Sequence, residues 1–258
     1  MKKTALIIAA VVVAAVAAAA VWWFTSTDID DPVEVTAPTL PPDTTPETTA
    51  PATATTLASS NSTEVPDTTA VPDTTVAIAA GPVTFELMDA SLVTFEIDEV
   101  LNGSDKRVVA TNPEVAAQIR VDPSDLASAE IGTVVIGAQT FETDSNNRNR
   151  AIRGPILDSN DFPTIQFVPT AVEGLSGAAA VGDLLEFTIT GDLTIRDITQ
   201  PVTFTVSAAL TDAATIEGTA EATVSRDAFG LTIPSVAAVA SVEDEVLLKI
   251  DFVAGAVG

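Results

Sequence analysis

Apolar and polar residues alternate one by one along the C-terminal two thirds of the chain, and this pattern limits the folds that the chain can adopt. The alternation is clear over residues 83–87, 93–97, 202–206 and 246–252. Successive side chains of a β-strand point to opposite faces of its sheet, so each segment is typical of a strand with one buried side. Turn-forming glycines separate the segments, and no helical pattern of the length that a parallel sheet needs lies between them. We therefore predict an all-β domain over residues 82–258, an eight-stranded antiparallel barrel, because closure of the sheet removes exposed strand edges.

One stretch, residues 144–162, departs from the alternation. It contains three arginines within six residues, followed by a Gly–Pro pair. It predicts a short helix or helical turn that begins at a cap of Asp144 or Ser145 and ends at Gly154–Pro155. The domain is thus predicted to be all-β with one short helix.

The N-terminus carries an unbroken apolar run of 20 residues, 5–24, directly after a short basic start. A helix of that length is about 30 Å long, which matches the hydrocarbon thickness of a bilayer. A cleaved signal peptide is the alternative, since the small residues 17–20 offer cleavage sites. We favour an uncleaved transmembrane anchor over residues 1–24, because the run continues through a tryptophan pair that suits the membrane interface.

Both interpretations place the rest of the chain outside the cytoplasm, because the positive charges precede the apolar run and acidic residues follow it. We expect a single-pass protein of the cell membrane with an extracytoplasmic C-terminal domain, or a secreted protein if the segment is cleaved. Residues 25–81 separate anchor and domain. From Thr25 to Ala80 they contain 16 Thr, 8 Pro and no Lys or Arg. Such a segment is too polar to form a core, so we predict a disordered linker that acts as a stalk.

The composition excludes much of enzyme chemistry. The chain contains no Cys, His or Tyr. Thiolate and imidazole metal sites, cysteine nucleophiles and Ser-His-Asp triads therefore cannot form. A net charge of −25 argues against nucleic acid as a partner, since phosphate recognition needs clustered Lys and Arg. We predict a protein that is not an enzyme, with no cofactor, no metal site and no nucleic-acid partner.

Three motifs of the domain resemble those of a known family. Residues 191–204 have the sequence GDLTIRDITQPVTF, residues 143–164 combine the Arg-rich stretch with a final Asp-Phe-Pro-Thr, and residues 225–231 have the sequence SRDAFGL. They are similar to motifs of the YceI-like family of exported, lipocalin-like barrels, and they occur along the chain in the same order as in that family. The departures are Asn149, where the family usually has Asp, and Arg196, where it usually has His.

The resemblance implies an eight-stranded lipocalin-like barrel with an apolar tunnel for a long-chain isoprenoid or similar amphiphilic lipid. We predict that the tunnel is lined by Phe85, Phe95, Ile165, Phe167, Phe187, Ile189, Phe204 and Val206. The alternation alone favours a filled core for the same residues, and it is the resemblance that favours a tunnel.

The arginines within residues 148–153 are the one local excess of positive charge in the domain. We predict that Arg148 and Arg153 contact the polar head group of the lipid at the tunnel mouth, since guanidinium groups suit phosphate and planar oxygens. The alternative is that they pair with the aspartates of residues 144–161 and hold the helical turn in place. Further along, Gly230 is predicted to form a corner in a backbone conformation that other residues avoid.

The alternative function is a structural or interaction domain, a filled barrel displayed on the stalk. The two functions predict different interiors, a tunnel of several hundred Å³ or a packed core. The membrane, through the N-terminal helix, is a predicted partner in both cases, and homodimerisation stays open.

Overall fold

A computed structural model describes residues 32–41 and 81–257 of the chain. Within them, thirteen strands run in chain order as β1 Val83–Leu87, β2 Leu92–Leu101, β3 Ser104–Asn112, β4 Val115–Ala116, β5 Gln118–Val121, β6 Glu130–Ile131, β7 Val134–Gly137, β8 Thr164–Glu173, β9 Leu184–Ile195, β10 Ile198–Asp212, β11 Thr215–Ser225, β12 Val239–Val242 and β13 Glu245–Val257. One α-helix, α1, spans Asn146–Ala151 and continues as a π-helix over Ile152–Ile156. Short 3-10 turns lie at Leu126–Ser128 and Asp227–Phe229.

The strands form one curled antiparallel sheet. Its order is β4-β7-β8-β9-β10-β11-β13-β1-β5-β6, and β2, which also pairs with β3 and β12, joins beside β13. Strand β13 pairs with two strands along the same edge: its residues 247–251 pair with β2, and its residues 254–257 pair with β1. An isolated bridge between Thr111 and Glu142 ties β3 to the segment before α1. The result is a half-barrel with one concave, apolar side.

The prediction of an all-β, antiparallel domain with one short helix is confirmed, but the described residues form a half-barrel rather than a closed barrel and contain thirteen strands rather than eight. Five of them, β4 to β7 and β12, have two to four residues each. At the break between β3 and β4, Asn112 Oδ1 accepts a hydrogen bond from Glu114 N at 2.8 Å, and Asn112 Nδ2 donates to Gly137 O at 2.5 Å. This side chain turns the strand so that its pairing passes from β2 to β7, which divides one ribbon into short strands.

The helix differs from its prediction at the C-terminal end. It begins directly after Ser145, one of the two predicted caps, although Ser145 makes no side-chain capping bond. The predicted end at residues 154–155 is wrong, because the chain continues as a π-helix to Ile156 with the proline inside it. Leu157 N donates to Ile152 O at 2.8 Å, a span of five residues. This wide turn accommodates a proline ring that would clash in a regular α-turn.

Two glycines permit close packing or a sharp corner. A Cβ at Gly191 would lie 2.6 Å from Phe167 Cζ and 2.5 Å from Val168 O, so only glycine lets the phenyl ring cross the backbone here. Gly230 has a φ of 62°, in the left-handed region, and ends the turn Asp227–Phe229. The predicted corner at Gly230 is confirmed.

Residues 32–41, which lie within the predicted linker, contact the sheet without joining it as a strand, and we call them the strap. Val33 N donates to Gln139 Oε1 at 2.9 Å, and Leu40 N donates to Gln118 Oε1 at 2.8 Å. The other linker predictions fall on residues outside the structure's description, as does the predicted anchor over residues 1–24. Among the residues that the structure describes, no helix has the length and apolar character of a membrane span.

Candidate ligand-binding site

The concave side of the sheet encloses a cavity of about 940 Å³. Its wall is formed by mainly apolar side chains from β2, β3, β7–β11 and β13, and by the helical segment that covers one side. Cavities of this size hold whole small molecules in other proteins. The interior of the half-barrel is therefore hollow enough to admit a ligand.

Strand β2 shows how the alternating sequence forms this wall. Val93, Phe95 and Ile97 face the cavity, followed at the same spacing by Glu99 and Leu101. Because every second side chain points inward, the apolar face stays continuous until Glu99. Polar groups therefore enter the lining only towards one end, which we call the mouth.

The other end of the interior is filled. Phe204 on β10 and Ile250 on β13 line the cavity, whereas Val206 and Ala254, further along the same strands, do not. Val206 and Ala254 are 1% and 0% exposed, and they pack within the core. The cavity is thus a pocket open at the mouth and closed by core packing at the opposite end.

Two pairs of phenyl rings shape the wall. Phe167 and Phe204 meet edge to face with their ring centroids 5.0 Å apart, and Phe95 and Phe141 are tilted at 5.4 Å. Both are favourable arrangements for aromatic pairs. Phenyl rings carry no polar atom that needs a partner, so the wall suits an apolar ligand chain.

The mouth contains a buried ion pair. Arg148 Nη2 lies 2.7 Å from Glu99 Oε1, and the two side chains are 18% and 6% exposed. Arg148 also donates to Asp144, and Lys106 Nζ lies 2.6 Å from Asp144 Oδ2. The hydrogen bond from Lys106, assisted by the charge of Arg148, holds the pKa of Asp144 below its ordinary value. Arg148 is therefore already occupied by two carboxylates.

Arg150 is placed differently from Arg148. It also lines the cavity, but within the described residues its side chain makes no ion pair, only a 3.4 Å contact from Nη1 to Asn147 Oδ1. Because its guanidinium retains unused donors, it is the basic group of the mouth that is most available to a ligand oxygen.

An apolar loop forms the remaining rim of the mouth. Leu231, Ile233, Pro234 and Val236 line the cavity from this loop, and Val236 is 50% exposed. An exposed aliphatic rim beside an apolar cavity gives a lipid chain a continuous apolar path inward.

The structure brings six of the ten predicted site residues together at the cavity: Phe95, Arg148, Ile165, Phe167, Ile189 and Phe204. The remaining four lie outside its lining. Phe85 packs with Leu210 and Ala254 in a separate core cluster, while Phe187 and Val206 belong to the filled part of the interior. Instead, Arg153 Nη2 donates to Phe141 O at 3.2 Å and lies 3.9 Å from Glu142 Oε1.

Several lining residues have no signal in the alternating pattern. Phe141, Ile152 and Leu157 reach the cavity from the helical segment and its approach. They could not be found by period-two alternation, because they do not lie on strands. Glu99 does have a sequence signal, because it is a carboxylate at an inward position of an alternating strand, where a buried charge needs a partner.

Among the described residues, no three acidic side chains lie close enough together to hold a metal ion between them.

A model of the YceI-like domain family matches residues 87–254, which is more than half of the chain. The chain belongs to the YceI-like domain family. No curated protein matches it.

Two solved structures are similar to this YceI-like domain. One is a polyisoprenoid-binding domain from Saccharophagus degradans, with a TM-score of 0.54, 10% identity, and coverage of 68% of this chain and 99% of that domain. The other is Burkholderia cenocepacia BcnA, with a TM-score of 0.51, 24% identity, and coverage of 65% and 98%. At these identities the likeness concerns the fold alone.

The two residues that depart from the YceI-like motifs both contact neighbouring side chains. Asn149 Oδ1 accepts hydrogen bonds from Thr143 N at 2.8 Å and from Thr143 Oγ1 at 2.7 Å, so the amide supplies the acceptor that a carboxylate would supply. Arg196 has a φ of 58° in the turn between β9 and β10, and its guanidinium lies 5.6 Å from the centroid of the Phe162 ring. Both residues support the frame of the YceI-like domain and neither lines the cavity.

Proposed function

We propose that this YceI-like domain binds one long-chain isoprenoid or similar amphiphilic lipid in its cavity and performs no catalysis. The observation that carries the proposal is a 940 Å³ apolar cavity with an open, mixed-polarity mouth. Burial of a hydrocarbon chain contributes about 0.8 kcal/mol per CH₂ group, so chain length dominates the affinity. The polyisoprenoid-binding domain that shares the fold supports this ligand class.

The polar head of the lipid remains at the mouth, where its oxygens contact Arg150. Arg148 keeps its pairs with Glu99 and Asp144 and acts as the frame of the mouth. Because a single available arginine provides few fixed contacts, selectivity for the head group is loose while selectivity for an extended apolar chain is strong.

The filled-barrel alternative is disfavoured by the same cavity. A domain that served only for display would close its interior, since an empty apolar cavity of this size costs stability. The hollow region is confined to one end, which suits a site that receives a ligand through the mouth.

We propose the membrane as the source of such a ligand, because the N-terminal apolar run has the length of a membrane anchor. In our proposal, residues 1–24 hold the protein on the outer side of the cytoplasmic membrane, where the domain accepts or delivers the lipid. The sequence supports this arrangement, because a basic start precedes 20 apolar residues, as in membrane anchors whose C-terminal side is exported.

Lipid uptake by cavity-filled variants tests the proposal. Ala220 lines the cavity from β11, and Ala220→Phe places a ring in the hollow region. Val224, which also lines the cavity from β11, provides a second variant, Val224→Phe, if the first folds poorly. Thr205→Phe, on the exposed face of β10 opposite Glu221, is the matched control.

The full chain is titrated with a fluorescent polyprenyl phosphate in detergent, and bound lipid is measured. We expect saturable binding that is lost in the two filled variants and retained in the control. Equal binding by all three proteins would place the lipid elsewhere and overturn the proposed site.

A further inference from the structure

The strap is held by two glutamines that are buried in the sheet. Gln118 and Gln139 are 7% and 3% exposed, and the side-chain oxygen of each accepts a strap N–H, from Leu40 and from Val33. A buried amide oxygen without a partner costs free energy, and here the strap supplies that partner at both positions. The two side-chain oxygens therefore bind the strap at two points, Val33 and Leu40, that are seven residues apart.

The strap also packs closely on two glycines of the sheet. A Cβ at Gly132 would lie 3.4 Å from Leu40 Cδ2, and a Cβ at Gly137 would lie 3.7 Å from Val35 Cγ1. The two aliphatic side chains of the strap therefore lie against the backbone of the sheet at these glycines. Both strap side chains are partly buried as a result.

The contacts have a constant antiparallel register. Val33 meets Gln139, Val35 meets Gly137 and Leu40 meets Gly132, so each step forward in the strap is matched by one step back in the sheet. At the far end, Arg120 donates to Pro41 O while it holds Glu130 at 2.6 Å. Polar holding points at both ends with apolar contacts between them are the features of a bound extended peptide.

We propose that the strap is a peptide ligand that the domain binds within its own chain, and that this docking sets the distance between domain and membrane. The docking goes beyond lipid binding and is independent of it. The distance rests on the anchor given under the proposed function. With the strap docked, nine residues lead from Phe24 to Val33, a reach of at most about 30 Å, whereas the undocked chain to Pro82 reaches about 200 Å. The docked strap keeps the cavity near the bilayer from which it takes lipid.

A pair of spin labels tests the docking in the full chain. Because the chain contains no Cys, Thr36→Cys on the strap and Thr205→Cys on the exposed face of β10 give two unique label sites. We expect one narrow distance distribution. The strap variant Leu40→Asp and the sheet variant Gln118→Ala/Gln139→Ala should each broaden it, and Leu40→Asp leaves the sheet unaltered, so folding of the domain is not at issue.

Gln166→Ala, which removes an exposed glutamine from β8, is the matched control and should keep the narrow peak. A broad distribution in the unaltered chain, or a narrow peak that survives either change, overturns the docking.

Energy transfer tests the distance. The full chain, labelled only at Thr205→Cys, is placed in vesicles of phosphatidylcholine and phosphatidylglycerol that carry an acceptor lipid. We expect strong transfer that is lost with Leu40→Asp. Protein that fails to sediment with the vesicles refutes the anchor and leaves the docking intact, whereas anchored protein with equal transfer in both forms refutes the shortened tether.

Discussion

Arg148 Nη2 lies 2.7 Å from Glu99 Oε1 at the mouth of a cavity whose wall is mainly apolar. The pair joins the helix α1, which lies outside the sheet, to strand β2. It therefore closes one side of the mouth as well as neutralising a buried carboxylate.

Removal of Arg148 should be strongly destabilising. Arg148→Ala leaves Glu99 buried without its partner, and loss of one member of a buried ion pair costs about 3 kcal/mol. We expect that decrease in the free energy of unfolding, measured by urea denaturation. The double variant Glu99→Gln/Arg148→Met should recover most of the loss, because no buried charge remains.

Arg107→Ala is the control for that prediction. Arg107 pairs with Asp98 and Glu96 on the exposed face of the sheet, where water screens the charges. We expect little change in stability. A cost for Arg107→Ala as large as that for Arg148→Ala would show that burial does not govern the mouth pair.

Asp144 makes the mouth sensitive to acid. The hydrogen bond from Lys106 lowers the pKa of Asp144 below its ordinary 3.8, so the folded state binds the proton less readily than the unfolded state. The stabilisation is therefore present above the ordinary pKa and is lost as the pH falls through the lowered one. Asp144→Asn should lower the Tm at neutral pH, and the difference from the unaltered protein should vanish in strong acid. A Tm difference that is constant across this acid range would contradict the assignment.

Gly191 controls the position of Phe167. In Gly191→Ala the new methyl group would meet Val168 O and Phe167 Cζ at 2.5 and 2.6 Å, so both backbone and ring must move. We expect a loss of about 1–3 kcal/mol, as for other overpacked cores, and reduced lipid uptake. Gly154→Ala is the control, because a Cβ there meets nothing within 4 Å and its φ is not positive. Comparable losses in both variants would mean that the cost arises from the backbone alone.

Phe85→Ala and Phe204→Ala should differ in their effects on the free energy of unfolding and on lipid affinity. Phe85 is 1% exposed in the filled core, so Phe85→Ala should cost about 3–5 kcal/mol. Phe204 borders the cavity, so Phe204→Ala should cost less stability and change lipid affinity more. Thermal unfolding and lipid titration of the two variants check this contrast, and the same pattern in both would argue against a divided interior.

The same two residues show what the sequence could predict. Each stands in a clear period-two segment, so alternation correctly indicates that both are buried. Whether a buried position meets a cavity or a packed neighbour depends on which distant strands lie opposite. Phe85 meets Leu210 and Ala254, and alternation contains no information about that pairing.

Local residue types predicted the corner at Gly230 but not the end of the helix, and they gave no indication of long-range contacts. The corner at Gly230 follows from one residue type, and the structure confirms it. The strap has no periodic pattern, and its contacts depend on Gln118 and Gln139, about 80 and 100 residues away. Arg153 shows the same limit, because its side chain donates to the carbonyl of Phe141, a contact that the charge pattern of the sequence does not indicate.

Native mass spectrometry of the full chain, purified in mild detergent from the host that produces it, tests the central claim most directly. The account predicts one bound lipid per domain, released on activation, with fragments spaced by isoprene units or a comparable long apolar chain. Protein that arrives empty and takes up no added polyprenyl lipid would contradict the account.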